Sequence, residues 1–111
     1  MKMTAIRQKP RKLFMEENKH VVYILRCKDS TLYTGYTNDL AHRLQMHECG
    51  KGAKYTRGRG PFHVVYIEKF SSKIEALKRE YAIKQLQRSK KQQLIALRKQ
   101  EVEQNEDAKE L

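Results

Sequence analysis

Residues 20 to 37, HVVYILRCKDSTLYTGYT, set two β-branched and aromatic runs on either side of the turn-prone KDST. Residues of this kind suit a pleated, half-buried surface, and the interruption predicts a hairpin of two strands. Alternation puts Val21, Tyr23 and Leu25 on one face. Each run also carries a tyrosine, Tyr23 and Tyr33, so the hairpin has two phenol hydroxyls to place.

The elements that follow are legible from caps and periodicity. Asn38 or Asp39 can accept from the first-turn N–H groups of a helix over DLAHRLQMHE, with Leu40, Leu44 and Met46 inward and Gly50 ending it. FHVVYIEKF, 62 to 70, predicts a third strand. Ser72 and Glu75 form a capping-box pattern for a helix to about Gln87, with Ile74, Leu77, Tyr81 and Leu86 near helical spacing on its buried side. Ser89 can cap a last helix with Leu94, Ile95, Leu97 and Val102 inward, beyond which EVEQNEDAKEL is expected to fray. The order β-β-α-β-α-α predicts an α+β fold: a small three-stranded sheet, mixed or antiparallel, flanked by helices.

A chain of 111 residues with a net charge of +11 accommodates one small domain. Residues 1–19 hold six basic and two acidic groups and read as a flexible basic extension, whereas 101–111 hold one basic and five acidic groups and read as an acidic tail. These ends cancel, so the domain expected at 20–100 carries the entire excess, which favours a polyanionic partner. Solubility, or attachment to a ribosome, would use the same charge. No apolar run is long enough for a membrane span and no signal peptide is evident, so the expected location is cytoplasmic and membrane-free. Cys27 and Cys49 lack ligand spacing and read as reduced thiols.

The stretch GKGAKYTRGRGP, 50 to 61, has four glycines, four basic residues and no acid, and predicts a mobile cationic loop. Its Lys51, Lys54, Arg57 and Arg59 can contact phosphates, and Tyr55 can stack on a base. Arg43 and His47, four apart, share a helix face outside the stripe of Leu40 and Leu44. Glu80, among Lys78, Arg79 and Lys84, reads on its own as an ordinary ion-pairing surface glutamate, and the tyrosines read singly as strand residues with wet hydroxyls.

Taken in order and spacing, this set resembles the GIY-YIG nuclease domain over roughly residues 20 to 95. In that family a tyrosine closes the first strand motif, a second opens Y-x-G about ten residues on, and an arginine follows ten residues later. Tyr23, Tyr33 with Gly35, and Arg43 match these, His47 matches a residue often found one turn beyond the arginine, and EALKRE matches the helix bearing a metal-binding glutamate at Glu80. The wording of GKGAKYTRGRGP and EALKREYAIK is most similar to the small stand-alone bacterial members, the YhbQ-like proteins, which are generally known only as predicted nucleases.

The resemblance implies a metal-dependent DNA endonuclease directed by structure or damage, in repair or recombination. Phosphodiester hydrolysis needs an activated water, neutralisation of charge on the phosphoryl oxygens and help for the departing alkoxide. One Mg2+ (or Mn2+) at Glu80 suits the last two, because such an ion accepts one carboxylate, phosphate oxygens and several waters. The planar fork of Arg43 suits a phosphate. A tyrosine has an ordinary pKa near ~10, and Arg43, His47 and the metal are cations that would lower it. By similarity Tyr33 is the base and Tyr23 orients water or phosphate, with His47 donating or shuttling a proton.

The chain departs from the family in reading VVY and YTG, in having Tyr36 where some members carry a lysine, and in offering Gln92 where an asparagine is common. The alternative is therefore a non-catalytic nucleic-acid-binding module on a degenerate nuclease fold. A docking role for the late helix toward a protein partner is compatible with either. No sequence-reading module is appended, so strong base specificity is not expected.

Overall fold

The computed structural model describes residues 18–110. The expectation for 1–19 therefore lies, except at Asn18 and Lys19, outside the described residues. Strands β1 (His20–Arg26) and β2 (Leu32–Thr37) form the hairpin, antiparallel, with Tyr23 opposite Gly35 and Leu25 opposite Tyr33. Its turn closes when the Cys27 N–H donates to the Thr31 carbonyl at 2.9 Å. Ser30 takes a left-handed φ of 70°, and the Asp29 carboxylate accepts from the N–H and hydroxyl of Thr31.

β3 (His63–Phe70) pairs antiparallel with the other edge of β1, with a bulge between Ile24 and Leu25. The sheet order is β2-β1-β3, antiparallel throughout. As the central strand, β1 is buried on both faces: Val22, Tyr23, Ile24 and Leu25 expose nothing. Val22 and Ile24 join Tyr66, Ala76 and Ile83 in one core, while Val21, Tyr23 and Leu25 meet Leu40, Leu44, Phe62 and Val64 in the other.

α1 (Leu40–Glu48) is capped by Asp39, whose side chain accepts from the His42 N–H at 3.2 Å, and Leu40 and Leu44 pack inward as the spacing predicts. Gly50 follows at φ 79°, a conformation that ends a helix at little cost only for glycine.

α2 (Lys73–Lys84) starts at the expected cap, with Ser72 accepting from the Glu75 N–H, but its faces are reversed. Ile74, Leu77 and Tyr81, expected inward, are 66%, 39% and 68% exposed, and Leu86 beyond the helix is exposed too. Ala76 and Ile83 are buried instead, with Arg79 and Glu80 half-buried between them. Two features favour this choice. Ala76 is small enough for close approach to Val22 and Ile24, and Arg79 donates from Nε to Glu68 Oε1 at 2.9 Å, where the Tyr66 hydroxyl also donates at 2.6 Å. Facing these polar groups inward satisfies them together.

α3 (Arg88–Glu110) begins one residue before Ser89, so that serine is not its cap; the N–H groups of Lys90 and Lys91 go to the Gln87 carbonyl. Leu94 and Ile95 reach the core as expected, whereas Leu97 is 60% exposed. The Val102 side chain lies outside the described ones, and the helical backbone continues to Glu110 through the segment expected to fray. Cys27 and Cys49 are free thiols. Among the described residues no helix is long and apolar enough to cross a membrane.

Candidate active site

The α1 face of the sheet receives Tyr23 from β1, Tyr33 from β2, and Arg43 and His47 from α1. Strand alternation sends both tyrosines to that side, and the i, i+4 spacing turns Arg43 and His47 toward them. Tyr23 is fully buried, and its Oη lies 2.8 Å from His47 Nε2. Tyr33 is half-buried, its ring 5.3 Å from the His47 ring at 65° and 5.9 Å from Tyr55 at 26°.

Arg43 stands closest to the two tyrosines in charge terms: the phenols of Tyr23 and Tyr33 hold its pKa above the ordinary value against the opposing effect of burial. Its Nε–H is buried with no acceptor among the described groups. Such an orphan donor carries a desolvation cost that an arriving anion would relieve.

Burial dominates the titration of the two innermost groups. It pushes the Tyr23 phenol up to about 12, although Arg43 acts in the opposite direction. Arg43 lowers the Tyr23 pKa as a neighbouring cation does, but burial outweighs it, because a buried phenolate loses more hydration than Arg43 returns. Burial also lowers His47, and the Arg43 charge lowers it further, against a smaller opposing effect of Glu48.

Glu80 lies on α2, the helix whose Ala76 and Ile83 pack against Val22 and Ile24. Its side chain is 17% exposed and pairs with Lys84 at 3.0 Å, and its charge is felt at Tyr23. The residue is both the ion-paired glutamate of the plain reading and the acidic neighbour of the tyrosine. Among the described residues no group of three or more His, Cys, Asp or Glu is arranged for a metal. Any cation here would rest on Glu80 plus oxygens from elsewhere.

The segment 50–61 is folded into the site rather than loose, a correction to the expected mobile loop. Thr56 is 0% exposed; its Oγ1 donates to the Ala53 carbonyl at 3.0 Å and lies 2.9 Å from His47 Nδ1. Gly52 backs onto His47 so closely that a Cβ there would lie 2.4 Å from Nδ1. The Lys28 N–H donates to the Arg59 carbonyl, tying the segment to the hairpin turn. Thr56 is a site residue that sequence reasoning missed: nothing marks a single threonine between Tyr55 and Arg57 as buried.

Of the four cations expected at nucleic acid, Lys51, Lys54 and Arg57 are exposed, while Arg59 is committed within the chain. It pairs with Asp29, donates from Nε to the Tyr55 carbonyl and lies 4.7 Å from the centre of the Tyr55 ring. Tyr55, 45% exposed, stacks on Tyr33. Tyr36 leaves β2 from the face opposite Tyr33, its Oη 2.8 Å from His20 Nδ1, so it takes no place at the site. Gln92 is exposed on α3.

The family model of the GIY-YIG catalytic domain matches residues 19–93, which span every residue of this cluster. UPF0213 protein OB0043 of Oceanobacillus iheyensis is 65% identical over 85 residues, 77% of this chain and 99% of that protein. UPF0213 protein CPE1444 of Clostridium perfringens is 60% identical over 75 residues, 68% of this chain and 81% of its own length. The solution NMR structure of protein EF2693 from E. faecalis superimposes with a TM-score of 0.52 at 41% identity, covering 70% of this chain and 83% of that one. With its motifs gathered around Arg43 in the β-β-α-β-α-α order, the chain belongs to the GIY-YIG family of nuclease domains, among its small UPF0213, YhbQ-like members.

Proposed function

We propose that the protein is a metal-dependent DNA endonuclease that hydrolyses phosphodiester bonds at structural irregularities or damage, serving repair or recombination in the cytoplasm. The observation that carries this reading is Arg43, whose charge is coupled to the phenols of Tyr23 and Tyr33 and whose buried Nε–H lacks an acceptor among the described residues. A phosphoryl group is the planar-fork partner that this donor set suits.

The roles divide by accessibility. Tyr33, half-buried, is the hydroxyl that substrate can approach, and it takes the proton of the attacking water. Tyr23, fully buried and hydrogen-bonded to His47, supports that ring rather than meeting solvent. Arg43 neutralises charge as the P–O bond to water forms and the P–O bond to the leaving alkoxide breaks. Glu80 is a hard oxygen donor beside Tyr23, compatible with one hydrated Mg2+ or Mn2+ completed by phosphate oxygens. When bound, that ion supplies charge neutralisation at the phosphate and the leaving oxygen. Lys51, Lys54 and Arg57 track the DNA backbone, and the Tyr55 ring offers a stacking surface suited to flapped, branched or single-stranded ends.

The test is cleavage of labelled duplex, nicked, flapped, branched and single-stranded DNA with Mg2+ or Mn2+, comparing wild type with Glu80→Gln. Cleavage confined to the wild type, metal-dependent, with DNA affinity equal or higher in the variant, is the expected result. Binding without cleavage on every substrate would instead assign the chain to a non-catalytic nucleic-acid-binding role.

A further inference from the structure

The hydrogen bonds through His47 run in one direction, and Thr56 determines it. Thr56 has a single hydroxyl hydrogen, and that hydrogen is given to the Ala53 carbonyl at 3.0 Å. Toward His47, 2.9 Å away, Thr56 presents only lone pairs, so the hydrogen of that contact sits on Nδ1. A neutral imidazole carries one N–H, which leaves Nε2 bare. At the other end the Tyr23 hydroxyl lies 2.8 Å from that bare Nε2, so the hydrogen of this contact is the phenol's own. Tyr23 donates to His47, His47 to Thr56, and Thr56 to backbone.

We infer that Thr56 is a positioning residue of the active site, which fixes His47 in the Nδ1–H tautomer and thereby orients the Tyr23 hydroxyl. The inference rests on the nuclease reading only for its effect on turnover; the tautomer itself is independent of any substrate. The geometry explains why the cationic segment folds down onto the site: it delivers Thr56 as well as charge. Gly52 allows that approach, since any side chain there would overlap His47.

The alternative tautomer shows what the threonine prevents. With Nε2–H facing Tyr23, the phenol oxygen would accept from His47, and its own hydrogen would be left without an acceptor among the described groups in a fully buried site.

The experiment is long-range 1H–15N NMR of the full chain near neutral pH, with His47 assigned by His47→Gln, on wild type, Thr56→Val and Thr56→Ser. The expected wild-type spectrum has a protonated Nδ1 and a bare Nε2; Thr56→Val, nearly isosteric, shifts the population to Nε2–H, and Thr56→Ser keeps the wild-type pattern. On a cleavable DNA, Thr56→Val should lower kcat about 10–100-fold with KM little changed, the size usual for supporting hydrogen bonds, and Thr56→Ser should restore it. Wild-type His47 with Nε2–H or a doubly protonated ring overturns the inference even if Thr56→Val fails to fold. So does an unchanged tautomer in Thr56→Val, or a changed one with full turnover. A wild type that shows the tautomer pattern and cleaves nothing would overturn the nuclease reading and leave the orientation of His47 by Thr56 standing.

Discussion

Gly35 lies under the Tyr23 hydroxyl: a Cβ built there would sit 2.6 Å from the phenol oxygen, 2.7 Å from the carbon bearing it, and 2.9 Å from a ring carbon of Tyr33. The glycine of YTG is therefore required for packing between the two tyrosines. Gly35→Ala should destabilise the fold by about 1–3 kcal/mol through overpacking, lowering the melting temperature by about 4–8 °C per kcal/mol. Cleavage should fall as well, because the rings must part. A melting curve identical to wild type would mean that Tyr23 is free to move aside.

Arg43→Lys keeps a positive charge but removes the planar fork whose buried Nε–H is free, among the described residues, for a phosphoryl oxygen. The expected loss is about 10²–10³-fold in kcat, with DNA affinity changed only a few-fold. Single-turnover kinetics beside a binding titration checks it; an equal loss in both would make Arg43 an anchor for ground-state binding.

Because Arg59 is held by Asp29 and the Tyr55 carbonyl, the segment presents three cations to DNA. Replacing Lys51, Lys54 and Arg57 together should flatten the log–log salt dependence of duplex binding by about 2.7, at about 0.9 per phosphate contact. Arg59→Gln alone should leave that slope unchanged. A large change in slope from Arg59→Gln would show that the pair with Asp29 opens on binding.

His47 is buried with a lowered pKa, so the unfolded chain takes up a proton on this residue more readily than the folded one. Its contribution to stability is full above the ordinary value of 6.5 and declines as pH falls toward the depressed value. Urea midpoints at about pH 7.5 and about pH 5 should therefore differ for wild type, lower in acid, and differ less for His47→Gln. An equal acid loss in both proteins would assign the effect to other groups.

Much of the hairpin and the first helix could be read from local chemistry, since turn residues, strand alternation and the Asp39 cap each act within a few residues. Arg43 and His47 were legible for the same reason: helical spacing puts them on one side. The face of α2 was not, because Ile74, Leu77 and Tyr81 keep helical spacing whichever way the helix turns. The choice depended on Glu68, distant in sequence, receiving both Arg79 and Tyr66. Thr56 and the Arg59–Asp29 pair were hidden likewise, each completed by a partner on another element. Charge counts in 50–61 could not reveal that one cation is already neutralised.

The central strand has a consequence for how this chain can fail. Since β1 feeds two cores from alternate residues, a slip of one position would push Tyr23 into the core of Ala76 and Ile83 and bring Ile24 under α1. Neither side offers a solvent face to absorb the error. Correct strand pairing and a correctly oriented site are thus acquired in one event, and a misregistered molecule has nowhere to hide as a folded but inactive form. Active fraction and folded fraction should be the same number in any preparation of this protein.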